Sequence, residues 1–176
     1  TTLPPACEGC AAALDVFDTA TGADPALLGT WQSELLGNIT AIDVVDKRVA
    51  IAAYWAGLWI VDASDVTSMR FFAGADFKLI PEYSVGVALL PPFVLLWQGG
   101  PDQGMNALDT LRLDEDGTLD WISSLPLEDR PDALIRAGHM VAVKTTRDTN
   151  GDGAPDETVL DLYETAPILF ADGFDT

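Results

Sequence analysis

The sequence predicts an all-β fold made of small repeated sheets, and three observations lead there. Apolar runs are short and are broken by Gly, Pro and Asp, as strands and turns require, while helical periodicity is weak throughout. Leu14-Asp15-Val16-Phe17-Asp18 recurs 44 residues later as Leu58-Trp59-Ile60-Val61-Asp62. The same offset carries Leu27-Leu28-Gly29 onto Phe71-Phe72-Ala73. Two strands that repeat with one spacing imply one supersecondary unit used more than once. Periods of roughly 40 to 50 residues with four strands each mark the blades of a β-propeller.

The strands follow in order. Ile39–Val45 is the inner strand of the first complete blade, Arg48–Tyr54 the second, Leu58–Asp62 the third and Ser68–Phe72 the outer one. The next blade runs Tyr83–Leu90, Phe93–Trp97, Ala107–Leu113 and Leu119–Ser123. Pro91-Pro92 separates its first two strands and breaks the most apolar run of the chain. A last blade begins with Ala133–Ala137 and Met140–Thr145 and adds Thr158–Tyr163. Fainter copies of the repeat place Asp114 52 residues after Asp62, and Glu164 50 residues after Asp114. The expected organisation is an N-terminal segment, 1–13, followed by blades at about 14–33, 39–73, 83–124 and 133–170.

That is about three and a half blades, whereas closed propellers usually have four to eight. The first piece supplies only the two outer strands of a blade, so the edge at Leu14–Asp18 lacks its neighbour. Unpaired strand edges invite pairing. The expected partner is another polypeptide or a second copy completing the propeller, with Leu14–Asp18 paired to it. A chain that begins at Thr1 without an initiator Met fits a piece of a larger protein. A β-sandwich is the alternative fold.

The second unit carries a more specific likeness. Val49-Ala50-Ile51-Ala52-Ala53-Tyr54 and Gly57-Leu58-Trp59-Ile60-Val61-Asp62-Ala63-Ser64-Asp65 resemble the LVIVD-type propeller repeat, and Leu14 to Gly29 is similar to the second half of another copy. The resemblance covers roughly sixty residues. The later units depart from it with Arg112 and Asp114-Glu115-Asp116. It implies a propeller in a secreted or surface-exposed bacterial protein and specifies no activity.

Composition narrows the function classes. A chain of 176 residues with 48% hydrophobic residues can bury a core. Its formal net charge of −19 opposes binding to nucleic acid or to anionic membrane surfaces. No apolar run is long enough to span a bilayer, so membrane insertion is not expected. Cys7-Glu8-Gly9-Cys10 is read as a local disulfide, with free thiols or pairing to another segment as the alternatives. Zinc would need more Cys or His than the lone His139 supplies.

The plainest chemistry lies in Asp148-Thr149-Asn150-Gly151-Asp152-Gly153-Ala154-Pro155-Asp156. Oxygen-bearing side chains alternate at 148, 150 and 152, and another carboxylate follows at 156. Ca²⁺ takes six to eight oxygens at short range, which such a loop supplies. The proposed ligands are Asp148, Asn150, Asp152 and Asp156, with the Ala154 carbonyl. An ordinary hairpin turn is the competing reading, because Asn-Gly and Asp-Gly are common turn signals. Val159 stands where an EF-hand needs a bidentate Glu. The loop resembles the D-x-N-G-D-G-x-x-D loops of thrombospondin type 3, dockerin-like and FG-GAP proteins. That likeness implies calcium and an extracellular setting, secreted, periplasmic or at the cell surface.

Little points to catalysis, and no catalytic residue is assigned. His139 reads as a turn residue, and no G-x-S-x-G elbow occurs. A calcium-assisted, lactonase-like propeller hydrolase is the alternative to a binding or scaffold module; it would need acids such as Asp43 and Asp132 to converge. Of the five tryptophans, Trp59 and Trp97 are expected in the core. Trp55, beside Gly57, is the exposed one at which carbohydrate would stack. Asp114-Glu115-Asp116-Gly117 is read as a hairpin turn, and Ile168 to Thr176 as a closing outer strand.

Overall fold

The computed structural model describes residues 12–20, 24–34, 36–75, 83–99, 106–127, 131–138, 140–152 and 156–164. Cys7, Cys10, His139, Ala154 and the C-terminal segment 168–176 lie outside the described residues, so the expectations placed on them do too. Every regular element described is a strand. In chain order these are β1 (Ala12–Asp18), β2 (Ala26–Ser33), β3 (Ala41–Val45), β4 (Arg48–Ala52), β5 (Leu58–Asp62), β6 (Arg70–Ala75) and β7 (Ser84–Leu90). They continue as β8 (Phe93–Gln98), β9 (Asn106–Leu113), β10 (Leu119–Leu127), β11 (Pro131–Ala137), β12 (Met140–Arg147) and β13 (Glu157–Glu164). The chain divides into two compact units, Thr1–Glu128 and Asp129–Thr176.

The first unit holds three antiparallel sheets, ordered β1-β2, β3-β4-β5-β6 and β7-β8-β9-β10. The second unit holds one sheet, β11-β12-β13. Strand order within each sheet follows the chain, so every sheet is a meander and no strand passes to another sheet. A Greek-key sandwich exchanges strands between its sheets.

Most boundaries move by one to four residues from the sequence reading, and two of the shifts have a plain cause. β6 begins at Arg70 rather than Ser68, because Asp65 ties the preceding residues into a turn. Its carboxylate accepts hydrogen bonds from Thr67 N (2.9 Å) and from the hydroxyls of Thr67 (2.7 Å) and Ser68 (2.8 Å). β10 runs on to Leu127 because β9 offers a ladder as far as Asn106↔Leu127.

The register itself repeats. β1 pairs with β2 through Leu14↔Trp31, Val16↔Gly29, Phe17↔Leu27 and Asp18↔Ala26, with a bulge between Val16 and Phe17. β5 pairs with β6 through Leu58↔Ala75, Ile60↔Ala73, Val61↔Phe71 and Asp62↔Arg70, with its bulge between Ile60 and Val61. All these partners match at the one offset of 44. β9 and β10 carry the same irregularity, where Thr110↔Ser123 gives way to Leu111↔Trp121. The unpaired extra residues are Leu28, Phe72 and Ile122. This alignment corrects the expected third copy: Asp62 corresponds to Arg112, 50 residues on. Asp114 lies beyond the strand, in a turn where Gly117 N donates to Asp114 O (3.1 Å) and Asp114 N to Thr118 O (2.9 Å).

The first two strands of each larger sheet close over equally short turns, at Val45↔Arg48, Leu90↔Phe93 and Ala137↔Met140. Connections between second and third strands, at 53–57, 99–105 and 148–156, lengthen from one sheet to the next.

Alternation of side chains gives each sheet two faces. On the front of β3–β6, Val49, Ile51 and Val61 pack with Leu14, Leu36 and Trp31, so the β1–β2 hairpin covers this side. On the back, Ala50, Ala52, Leu58 and Ile60 pack with Val87, Leu89, Val94, Leu96 and Leu111 of β7–β10. Through the short-turn alignment, Val94, Leu96 and Leu111 are the counterparts of Val49, Ile51 and Val61. These two sheets therefore turn the same face toward the sheet before them. Leu36, Ile51, Leu58, Ile60, Val94 and Leu96 are fully buried, and burying side chains of this size is worth about 1.5–3 kcal/mol each.

Strands meet like with like. β3 lies against β7, and β6 against β10. Thr40 donates its hydroxyl to Ser84 O (2.8 Å), Ser84 N donates to Tyr54 O (3.1 Å), and Leu89 N donates to Asp43 Oδ2 (2.8 Å). Edge groups of β7 thus find partners on the preceding sheet. At Gly29 the approach is closer still: a Cβ there would stand 1.8 Å from Val66 O.

Among the described residues β1 pairs with β2 alone. In the second unit, Ile135, Leu160 and Leu162 are 50%, 56% and 64% exposed.

Candidate functional sites

The Asp-rich loop joins β12 to β13. Arg147 O accepts the Asp156 N–H (2.9 Å) and closes the loop at its base. Inside it, Asp148 Oδ1 accepts from Gly151 N (2.6 Å), and Asn150 Oδ1 accepts from Asp152 N (2.9 Å). The Asn150 bond makes an Asx turn, and Gly151 within it has φ of 76°. Asp156 accepts from Thr149 N (2.9 Å) and from its hydroxyl. Those bonds, the backbone one foremost, hold the Asp156 carboxyl below the usual range.

Asp148, Asn150, Asp152 and Asp156 are all exposed and offer oxygen alone, which suits a hard cation. A carboxylate has about four lone-pair positions, so accepting an amide leaves capacity for an ion. Among the described residues no three of His, Cys, Asp or Glu are gathered closely enough to hold a metal. Closing on an ion therefore requires the side chains to turn inward around Asn150 and the carbonyl proposed at Ala154.

A second feature lies where β4 ends and β7 begins. Tyr54 and Tyr83 stack with ring centroids 4.3 Å apart, and Trp55 meets Tyr83 edge-on at 4.1 Å. Trp55 is half-exposed, as its place beside Gly57 suggested, and Tyr54 adopts φ of 37°. A non-glycine residue in that region is strained and needs support from its surroundings; the bridge from Tyr54 to Ser84 supplies it. The two tyrosines were not singled out in the sequence, since stacking across nearly thirty residues shows only in three dimensions. Trp97 is buried, whereas Trp59 is only partly so and meets Trp31 (6.3 Å) and Phe71 (5.1 Å).

The repeat aspartate Asp62 is structural. Its Oδ1 accepts from Ser64 N (3.0 Å) and pairs with Arg48 (2.9 Å), and its Oδ2 meets Arg70 (3.3 Å). The Ser64 donors first, and Arg48 after them, keep its carboxyl far below the usual range. Arg48 also lies over the Phe72 ring at 3.6 Å. Asp18 repeats part of this geometry, accepting from Ala20 N at 2.8 Å.

The acids weighed for hydrolysis are engaged elsewhere. Asp43 accepts from Leu89 N and Val44 N, and Asp132 accepts from the Thr146 hydroxyl within the second unit. Asp114-Glu115-Asp116-Gly117 forms the expected turn, with Thr118 N on Asp116 Oδ1 (2.9 Å) and Gly117 at φ of 88°.

Asp109 escaped the sequence reading. It is 1% exposed, and among the described residues neither carboxylate oxygen has a hydrogen-bond partner of normal geometry. Burial pushes its pKa up to about 6, and the hydroxyl of its cross-strand neighbour Ser124 opposes this only in part. Ser84 Oγ and Gln98 Nε2, on the same face of the sheet, also lack partners. The available signal was an acid inside the apolar strand Ala107–Leu113.

Comparison with protein-family models finds no match, and a search of curated proteins finds none either.

Proposed function

We propose that this chain is a run of β-propeller blades that serves as a binding or scaffold module in an extracellular, periplasmic or cell-surface protein. In this reading calcium braces the Asp148–Asp156 loop, and a further polypeptide completes the ring. The observation that carries it is the front-to-back stacking of β1–β2, β3–β6 and β7–β10 with one shared register and bulge. A sandwich has two inner faces and stops. This stack repeats one interface, and such repetition continues until a ring closes or an edge is capped. The all-oxygen loop and the strongly acidic chain support the calcium part.

Solution mass and scattering of the native protein as isolated, with any polypeptide that accompanies it and with and without calcium, test the reading. A closed assembly larger than one chain is expected. A stable, compact monomer whose first sheet stays solvent-exposed would sink the completed ring. Calorimetry against chelator tests calcium separately. No heat and no melting shift at millimolar calcium would remove the metal from the proposal.

A further inference from the structure

Among the described residues the first sheet has two strands where β3–β6 and β7–β10 have four. The sheet behind it records what is missing. In β3–β6, the edge of β5 that corresponds to the free edge of β1 is covered by β4, through Arg48↔Asp62, Ala50↔Ile60 and Ala52↔Leu58. The offset of 44 transfers these contacts to Asp18, Val16 and Leu14.

A second observation falls at the same place. Ile42 and Val44, on the front of β3, are 52% and 50% exposed. Their counterparts one sheet on are Val87 and Leu89, which are 4% and 1% exposed. What separates the two pairs is cover. Val87 and Leu89 lie under β3 and β4 of the preceding sheet. Ile42 and Val44 have only the outer half of a sheet before them. A single two-stranded piece would pair the β1 edge and cover both side chains.

We propose that the β1 edge and the Ile42–Val44 face together bind a β-hairpin from a separate polypeptide. This rests on the propeller reading. The β3–β4 equivalence fixes the chemistry of the occupant. Its second strand, the counterpart of β4, runs antiparallel to β1. It places small apolar residues opposite Val16 and Leu14, where Ala50 and Ala52 stand opposite Ile60 and Leu58. It places a basic residue opposite Asp18, as Arg48 stands 2.9 Å from Asp62. Its first strand, the counterpart of β3, lies over Ile42 and Val44. A rigid second copy has no such hairpin to spare, because β3–β4, β7–β8 and β11–β12 are already held in their own sheets.

The test uses the full chain with an added copy of its own residues 37–54 joined by a flexible linker to its N-terminus. Tethering supplies an effective concentration in the millimolar range. Hydrogen exchange of β1 and β3 amides should slow at least tenfold relative to the parent chain. Ile42→Asp should abolish that gain in the extended chain while leaving the parent's melting temperature nearly unchanged, since the side chain it replaces is half-solvated. Unaltered exchange in β1, or protection that survives Ile42→Asp, overturns the proposal. The same data separate it from the reading beneath it. If Ala50, Ala52, Val87 and Leu89 are protected and β1 is not, the docking site falls and the stack stands. If those four also exchange freely, the propeller reading falls and takes this proposal with it.

Discussion

Replacing Asp109 with Asn should stabilise the protein at neutral pH and do nothing at acid pH. Asp109 sits on β9 facing the preceding sheet, and among the described residues neither of its oxygens has a hydrogen-bond partner of normal geometry. Burial raises its pKa from 3.8 to about 6. The folded state therefore holds this proton more tightly than the unfolded chain does. Stability from this group is fully present below pH 3.8, declines as pH rises through about 6, and is lost above it. At about 1.4 kcal/mol per pKa unit the shift corresponds to roughly 3 kcal/mol. Partial screening near the exposed Ser124 side reduces the expected penalty to about 1–2 kcal/mol. Asn keeps the shape and cannot ionise. Urea unfolding of both proteins at pH 7.5 and at pH 4 provides the assay. The Asn variant should lead by about 1–2 kcal/mol at the higher pH and lose that lead at the lower. At pH 7.5 the two proteins differ by one charge, and the repulsion among the other acids of the chain is common to both. An equal difference at both pH values would refute the argument from burial.

Asp152→Ala should remove the calcium-dependent melting shift, which for the parent at a hundred times Kd is about 2.7 kcal/mol by mass action; titration calorimetry of both checks it. Gly29→Ala should cost about 1–3 kcal/mol in urea unfolding, because its Cβ would collide with the Val66 carbonyl and one backbone must move. Ile51→Ala, at a fully buried site, should cost about 2–5 kcal/mol. Leu162→Ala, on an exposed face, should stay within about 0.5 kcal/mol in the isolated chain, and the same pair of melts reports both.

The strands were legible because their punctuation is local. Pro91-Pro92, Asp46-Lys47 and Gly117 mark turns through backbone chemistry that needs no neighbour. The 44-residue echo between Asp18 and Asp62 was legible for the same reason. The bulge at Leu28, Phe72 and Ile122 was not, since an extra residue in a strand is visible only against its ladder. That is why the third copy was matched to Asp114 instead of Arg112. Ile42 and Val44 show another limit. Their alternation correctly marks one face of a strand, but whether that face is covered depends on a neighbour that no local pattern names. The turns of the Asp-rich loop were readable from Asn-Gly and Asp-Gly. The orientation of its carboxylates, toward Gly151 N and Thr149, depends on backbone geometry that spacing alone leaves open.

The two kinds of hairpin connection in these sheets have unequal room to change. Those at Val45↔Arg48, Leu90↔Phe93 and Ala137↔Met140 are as short as a hairpin allows, so an inserted residue would shift a strand and turn its side chains to the wrong face. Those at 53–57, 99–105 and 148–156 already differ in length while the ladders around them keep their pairing. Doubling such a loop costs only about 0.6 kcal/mol in closure entropy. New sequence can accumulate at that end of each sheet at little cost to the scaffold. Diversification within this architecture, natural or by grafting, should concentrate there, with the opposite turns held nearly constant.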